Sequence, residues 1–451
     1  MGAPAASNRC MAEKHRVLIL GGGFGGLYAA QALRHAPVEL TVLDRRNFHM
    51  FQPLLYQVAT GSLSPGDVAA PLRAVLRKQK NTRVLLGDAA DIDPTAKRVL
   101  LRDGGEIEYD SLIVATGAQS AYFGHDEWRE WAPSLKSVEE ATQIRHKILL
   151  AFEVAERVAD PAERTAWLTF VIVGAGATGV ELAGALGEIA NETLKHDFRS
   201  IRPQDARIIV VDGGDRPLAS YPEDLSKKAE RSLLKLGAQV RTGVMVTSVD
   251  GNGVTLKTKA GLEHIASHTV IWAAGVTASD FGRQLAKRTG VETDKPGRLK
   301  VNADLTIPNY PDIFVVGDLA LRTDEHGKAL PGVAQVAMQG GAYAAKTIVK
   351  RIRGEHDAKP FHYFNKGDLA VIGRAAAVAD IFGVHLSGFI AWLVWVFIHL
   401  MYIVEFQSRI VVFVQWAFLY LTFNRGARLI TGSAATDAVA RAEPLKNRAE
   451  A

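Results

Sequence analysis

A chain of 451 residues, 48% hydrophobic and with ordinary glycine and proline usage, can build two or three domains with real cores and is not a disordered polymer. Its 53 basic against 48 acidic side chains leave +5 without the dense basic runs that nucleic-acid binding needs, so a charged membrane surface is the better-matched partner. Cys10, the single cysteine, excludes an intramolecular disulfide, a Cys-x-x-Cys redox pair and a Cys-rich metal site, so any electron transfer runs through an organic cofactor.

Met1 to Lys14 lacks the apolar stretch of a secretory signal, which favours a cytosolic face. The first element follows at once. Val17 to Leu20 is an apolar run that ends in Gly21-x-Gly23-x-x-Gly26 and passes into Ala-rich helix-forming sequence. This predicts a buried parallel strand, a tight turn and a helix N-terminus. Gly21 permits the turn, Gly23 lets a diphosphate approach the backbone, and Gly26 lets helix and strand pack closely. The free N–H groups and positive end of the helix face the ligand. Val38 to Leu43 reads as the next strand, and Asp44 at its end stands close to the ~20-residue spacing of an acid that accepts from a ribose hydroxyl pair.

Arg45-Arg46-Asn47-Phe48-His49-Met50-Phe51-Gln52-Pro53-Leu54-Leu55-Tyr56-Gln57 is aromatic and amide-rich, too polar for a core strand and interrupted by Pro53. Its place after the ribose-reading strand puts it near the reactive end of the cofactor. Here the sequence resembles the type II NADH dehydrogenases, single-subunit flavoproteins that pass electrons from NADH to membrane quinone without pumping protons. The resemblance covers nearly the whole chain. It implies FAD as the first dinucleotide and adds Phe24, Gly25, Arg45 and Gln52 to its site.

Arg83 to Leu101 alternates short apolar runs with turn signals, as in a small antiparallel excursion of the scaffold. Leu112 to Ala118 is a buried strand whose Ala115-Thr116-Gly117 matches the segment where two-dinucleotide flavoproteins cross between domains. Ser137 and Glu140 form a capping-box pattern, and Ile144, Ile148, Phe152 and Ala155 recur at helical spacing until Asp160-Pro161 stops the run, which predicts a connecting helix.

Trp167 to Val173 repeats the opening theme, with Gly174-x-Gly176-x-x-Gly179 and a helix carrying Glu181, so the chain binds two dinucleotides. Ile208 to Val211 supplies the second strand of this half and Asp212 its acid. The spacing from Gly174 is longer than usual, which a long helix and a polar loop over Lys195 to Gln204 account for. The Asp212 carboxylate bonds the 2′-hydroxyl of NADH and repels the phosphate of NADPH. No Arg immediately follows it, although Arg216 lies four positions on and tempers the preference. The family more usually places Glu here, which changes length and keeps charge. The resemblance adds Thr178 to this site.

Val270 to Gly275 mirrors the Ala-Thr-Gly strand and brings Gly275 to the second site. Ile313 to Asp318 completes the flavin site; in the families this chain looks like, the Asp contacts the ribityl chain. Pro331-Gly332 opens a helix whose positive end faces the flavin, and Gln335 and Gln339 share one face of it at i, i+4. Their Ala-Gln-x-Ala-x-Gln segment matches the family's quinone-side motif, Gln335 ahead of Gln339. Quinone reduction needs two protons, and Glu181, which matches a functional Glu of the family, is the candidate donor; a role for it at the helix dipole or the nicotinamide ribose is equally open.

From Gly388 the composition changes. Phe389 to Phe406 holds only His399 and Glu405 as ionisable residues, Ile410 to Phe423 is nearly as apolar, and Gln407 and Arg409 separate them. On one helix Trp392, Trp395, His399, Tyr402, Glu405 and Arg409 gather on one side, with Leu393, Val396, Phe397, Leu400, Met401 and Val404 opposite. Such an element lies in the membrane surface rather than across it, with Arg409, Arg425 and Arg428 meeting anionic lipid. A buried core helix or a homodimer interface is the alternative. Ala434 to Ala451 is Ala-rich and charged and reads as a disordered tail.

The expected fold is therefore α/β: two Rossmann-like dinucleotide-binding domains in a glutathione-reductase-like arrangement plus a C-terminal amphipathic helical membrane anchor. Its expected parts are an N-terminal tail (1–13), an FAD-binding domain in two pieces (14–120 and 277–355), an NADH-binding domain with the connecting helix (121–276), a membrane-associated region (356–433) and the tail (434–451). The expected activity is hydride transfer from NADH to FAD and two-electron delivery to membrane ubiquinone or menaquinone, peripherally on the cytoplasmic face of the cell membrane. A soluble NADH-dependent reductase of another acceptor and a non-catalytic flavin-binding sensor remain open. Cysteine-dependent acceptors fit poorly, because Cys10 precedes the first strand.

Overall fold

Val17 to Leu20 are four apolar residues in a row, each at most 1% exposed, as in a strand covered on both faces. The computed structural model describes residues 14–355, 357 and 359–430. The tails expected at 1–13 and 434–451, and Cys10, lie outside the described residues.

From the N-terminus come β1 (His15–Leu20), α1 (Phe24–Ala32), β2 (Val38–Asp44), the short α2 (Leu55–Ala59), β3 (Thr82–Leu86), β4 (Ser111–Val114) and the long α3 (Val138–Arg157). The pattern then recurs as β5 (Thr169–Val173), α4 (Ala177–Glu188), β6 (Arg207–Val211), β7 (Ala238–Arg241) and β8 (Thr269–Trp272). After them follow β9 (Tyr310–Val315), α5 (Ala334–Ile352), β10 (Asp368–Gly373), β11 (Ala376–Ile381), β12 (Val384–Gly388), α6 (Phe389–Tyr402) and α7 (Phe406–Thr422).

The described residues divide into two units. The first comprises 14–49, 71–118 and 277–364, the second 50–70, 119–276 and 365–430. In the first, β9, β4, β1, β2 and β3 lie side by side in parallel, with Thr306–Ile307 added antiparallel at the edge. The register pairs Leu20 with Leu43 and with Val114, and Val114 with Val315, so the loops after β1, β2, β4 and β9 leave from one edge of the sheet. Ligands of open α/β sheets bind at that edge.

In the second unit β7, β6, β5 and β8 form a four-stranded parallel sheet. Its core joins Val171 and Val211 to Val249, Val254, Leu256 and Ile265 of an antiparallel meander (Met245–Asp250, Gly253–Thr258, Gly261–Ala266). The Ser137 hydroxyl caps α3, accepting from the Glu140 N–H at 3.1 Å, but the Glu140 carboxylate accepts from the Lys136 N–H at 2.9 Å instead of completing the box.

Several expectations need correction. Thr82–Leu86 is a parallel edge strand, and the antiparallel excursion is Ala89–Asp93, Arg98–Leu101 and Glu106–Glu108. Pro161–Trp167 is helical because the Asp160 carboxylate caps it, accepting from the Glu163 N–H at 2.8 Å, so β5 starts only at Thr169. Residues 50–70 and 365–430 group with the second unit. Its antiparallel trio β10, β11 and β12 packs on α4: a Cβ at Gly184 would stand 1.6 Å from the Ile372 carbonyl oxygen, so only glycine allows the contact.

The helix expected over 389–409 breaks at Ile403, which turns extended (φ −61, ψ 128), and Glu405 is the extended N-cap from which α7 starts at Phe406. Arg409 closes the break by donating from Nε to the Ile403 carbonyl at 2.6 Å. Glu405 and Arg409 therefore do not continue the Trp395 face of one helix. Each of the two helices is nonetheless two-sided. Ala391 and Trp395 of α6 and Val412 and Trp416 of α7 are buried, whereas Ile390, Leu393, Phe397, Met401, Ile410, Phe413, Val414, Phe418 and Leu421 are exposed. Among the described residues no helix is long and apolar enough to cross a membrane.

Candidate functional site

The turn after β1 has the geometry its glycines allow. Gly21 sits at φ +100, its N–H donates to the Leu43 carbonyl at 2.8 Å, and a Cβ there would lie 2.4 Å from the Ala115 oxygen. Gly23 is exposed, with no atom within 4 Å of where its Cβ would stand. No side chain caps α1, so its positive end faces the turn over Gly23 uncovered by a capping side chain. This open cradle fits a dinucleotide diphosphate.

Asp44 is oriented before any ligand arrives. Its Oδ2 accepts from the Gly22 N–H at 2.5 Å and its Oδ1 from the Arg46 N–H at 2.6 Å, and each oxygen keeps a lone pair for a ribose hydroxyl. Phe24 packs edge-on against His49, a residue the sequence reading did not single out. Burial lowers the His49 pKa, and the neutral ring donates from Nδ1 to the Gly22 carbonyl at 2.9 Å, bracing the loop. Gly25 and Gly26 are buried in α1 and Arg45 is exposed. Thr116 and Ser279 join hydroxyls at 2.7 Å, and Gly117 follows at φ +65. Asp318 lies in the turn after β9 against Gly332, and Gln335 is half-buried in the first turn of α5. Gln339 is committed elsewhere. Its amide donates to the Phe364 carbonyl at 2.9 Å and accepts the Phe364 N–H at 3.0 Å, a brace rather than a free contact.

The second unit repeats the arrangement almost atom for atom. Gly174 has φ +108 and donates to Val211, Gly176 is exposed with open space beside it, and no side chain caps α4. Thr178 is half-buried in the first turn of α4, and Gly179 is buried behind it. Asp212 accepts from the Ala175 N–H at 2.6 Å and the Gly214 N–H at 2.7 Å. Arg216 turns away, donating to the Tyr221 carbonyl at 2.8 Å and the Ala219 carbonyl at 2.9 Å. Gly275 makes room for the Phe123 ring, which a Cβ would meet at 2.4 Å. Gln52, in a short turn over Gln52–Leu54, groups with this unit and not with the residues around Asp44.

The second unit also holds a pocket of about 620 Å³ that the sequence reading did not foresee. α4 lines it with Glu181, Ala185 and Glu188, β10 with Val371 to Gly373, and α6 and α7 with Trp392, Trp395, Trp416 and Tyr420. From α2 come Tyr56 and Gln57. Trp416 Nε1 donates to Gln57 Oε1 at 2.7 Å, and Gln57 Nε2 donates to the Tyr56 hydroxyl at 2.8 Å. Glu181 is only partly exposed; burial pushes its carboxyl well above the usual range, against a weaker lowering by the Val371 N–H. It has no ion pair among the described residues, so nothing charged offsets the cost of ionising it there. Burial likewise keeps the Tyr56 phenol neutral, and it lowers His399, stacked on Trp395 at 4.2 Å, to about 4.

The three arginines expected to meet lipid are all engaged by protein. Arg409 bonds Ile403, Arg428 pairs with Asp197 at 2.6 Å, and Arg425, 3% exposed, pairs with Glu188 at 2.8 Å in the pocket wall. The one sequence signal for this pair was a lone cation after an apolar run, and lipid explained it as readily.

Residues 15–341 match the family model described as pyridine nucleotide-disulphide oxidoreductase, and residues 365–424 match the NDH2 C-terminal domain. Two type II NADH:quinone oxidoreductases of Mycobacterium tuberculosis are 47% and 45% identical over 93% and 95% of this chain and 91% of each relative. Among solved structures, NDH2 of Plasmodium falciparum in complex with NADH superposes with a TM-score of 0.83 at 20% identity, covering 93% of this chain and 100% of that one. The sulfide:quinone oxidoreductase of Aquifex aeolicus gives 0.65 at 18% identity over 94% of each chain. At such identities the structural likeness shows the fold.

Proposed function

This chain belongs to the type II NADH:quinone oxidoreductase family, and on that premise we propose how its two units share the reaction. It is an FAD-dependent enzyme that oxidises NADH and reduces quinone. The first unit holds FAD, with the diphosphate over Gly23, the adenosine ribose on Asp44 and the ribityl chain by Asp318. Gly176 and Asp212 hold NADH in the same manner. When bound, FAD supplies the two-electron chemistry that links hydride donor to quinone.

The pocket of the second unit takes the quinone ring. The observation that carries this reading is the place of Glu181: a carboxyl with no ion-pair partner among the described residues, in the wall of an aromatic-lined pocket whose burial favours its protonated form. Reducing a quinone consumes protons as well as electrons, and Glu181 holds one where it is needed. Within the first unit, Gln335 in the first turn of α5 is the residue we assign to the acceptor side of the flavin. The exposed apolar rows of α6 and α7 rest on the bilayer. Their opposite faces line the pocket, so a quinone leaving the lipid follows the same two helices inward.

The test is anaerobic: NADH should bleach the flavin and a soluble quinone should restore it. A flavin that NADH reduces but no quinone reoxidises would leave the reading without support. The same assay gives the nucleotide preference. Asp212 is fixed by two amides and Arg216 is tied to its own loop, so kcat/KM is expected to favour NADH over NADPH on the order of 100-fold. Equal values would mean that Asp212 does not read the 2′ position.

A further inference from the structure

Two carboxylates reach the pocket from one helix. Glu181 and Glu188 stand seven residues, two turns, apart on α4 and share a face. They differ in company. Glu188 is engaged at both oxygens, accepting from Arg425 Nη2 at 2.8 Å and from the backbone N–H of Arg374 at 2.5 Å, whereas Glu181 meets a backbone N–H alone. Arg425 is among the most deeply buried charged side chains described. It also donates to Thr60 Oγ1 at 3.2 Å, to Ser62 Oγ and to the Ala185 carbonyl at 3.4 Å, and its buried Nε has no partner. A buried cation persists only where a charge offsets it, and among the described residues the acid it touches is Glu188.

We infer that Arg425 is a positioning residue for quinone reduction: by pairing with Glu188 it cancels one carboxylate charge on the pocket face of α4 and leaves Glu181 alone to hold a transferable proton there. This rests on the reading of Glu181 as the donor. The other titratable groups around the pair are Tyr56 on α2, Tyr221, Asp368 at the start of β10, Arg374 just past its end, His399 on α6 and Tyr420 on α7. Arg374 is exposed, its guanidinium over the Tyr420 and Phe423 rings at 4.3 Å each. None of these changes in the variants that follow, so none can produce shifts of opposite sign.

The measurement is the pH dependence of flavin reoxidation by a soluble quinone in anaerobic stopped flow. A donor is competent below its pKa, so the rate falls on the alkaline side as Glu181 loses its proton. Glu188→Gln leaves Arg425 with an uncompensated positive charge, which favours the ionised form of Glu181 and should move that alkaline limb down by about one pH unit. Arg425→Met leaves the opposite charge and should move it up. The double variant replaces a neutral pair by a neutral pair and should return the limb to within about 0.3 unit of wild type. If Arg425 merely tied the C-terminal segment in place, the double variant would be as impaired as Arg425→Met.

A Glu188→Gln limb at or above that of wild type, or a double variant displaced from wild type by a full unit, overturns the inference. Where Glu188→Gln does not fold, the direction of the shift in Arg425→Met decides, an unmoved or lowered limb overturning the inference, and the double variant, which leaves no buried charge unpaired, shows whether that shift comes from the pair. Glu181→Gln run in parallel separates the two readings. If the limb survives that substitution, the donor reading fails; if it vanishes there yet stays in place in both Glu188 variants, the role of Arg425 fails.

Discussion

Glu181→Gln is expected to slow flavin reoxidation by quinone about 100- to 1000-fold, the usual weight of a positioned general acid, and to abolish the alkaline inflection of that step. The amide keeps the shape of the side chain and the partial burial but has no proton to give. Stability should move the other way. Burial raises the folded-state pKa of Glu181 above its unfolded value, so the folded state binds the extra proton and stability falls as pH rises from the unfolded pKa toward the folded one. Glutamine escapes that loss. Thermal unfolding of the variant should therefore match wild type at acid pH and exceed it at neutral and alkaline pH. A variant that reoxidises at the wild-type rate, or that is less stable than wild type at alkaline pH, would return Glu181 to a structural role.

The second large effect concerns the bilayer. Phe397 and Phe413 are 66% and 53% exposed on the outer faces of α6 and α7. Replacing both by Asp removes two aromatic anchors and places two charges in the surface that we propose meets lipid, and partition onto vesicles containing anionic lipid should fall on the order of 100-fold. Reduction of a short-chain soluble quinone should persist, because neither residue lines the pocket. Point variants are preferable to truncation at Gly388, which would remove the Trp395 and Trp416 wall along with the outer face. Unchanged sedimentation with vesicles would refute the lipid reading. If instead wild type is dimeric in solution and the variant monomeric, the apolar face is a homodimer interface.

The two nucleotide sites were legible because each is written within a short stretch. A strand, three glycines, a helix and an acid at the end of the next strand are local signals, and Gly21 with Asp44 and Gly174 with Asp212 adopt the geometry they suggest. Glu181 could be singled out as a candidate because it lies on the helix of the second glycine motif. The pocket around it was not legible. Gln57 with Trp416 and Arg425 with Glu188 are pairs that no periodicity connects, and Arg425 in an apolar context reads as a lipid contact until its partner is seen. Gln339 matched a motif, yet a backbone carbonyl and N–H at Phe364 occupy its amide. The break at Ile403 carries no glycine or proline to announce it.

The bond from Trp416 to Gln57 spans 359 residues of sequence. On a ribosome adding ~5–20 residues per second, Gln57 waits roughly 20–70 s before its partner exists. The β1 turn and the Asp44 strand can pair long before that, so a nascent chain has the means to hold its first dinucleotide while the Trp416 wall of the pocket is still unmade. Closing so long a loop also belongs among the slow events of folding, because its entropy is lost before its contacts form. A chain cut short before Trp416 is accordingly expected to acquire flavin and to stay silent toward quinone, because the pocket we propose for the ring lacks one wall.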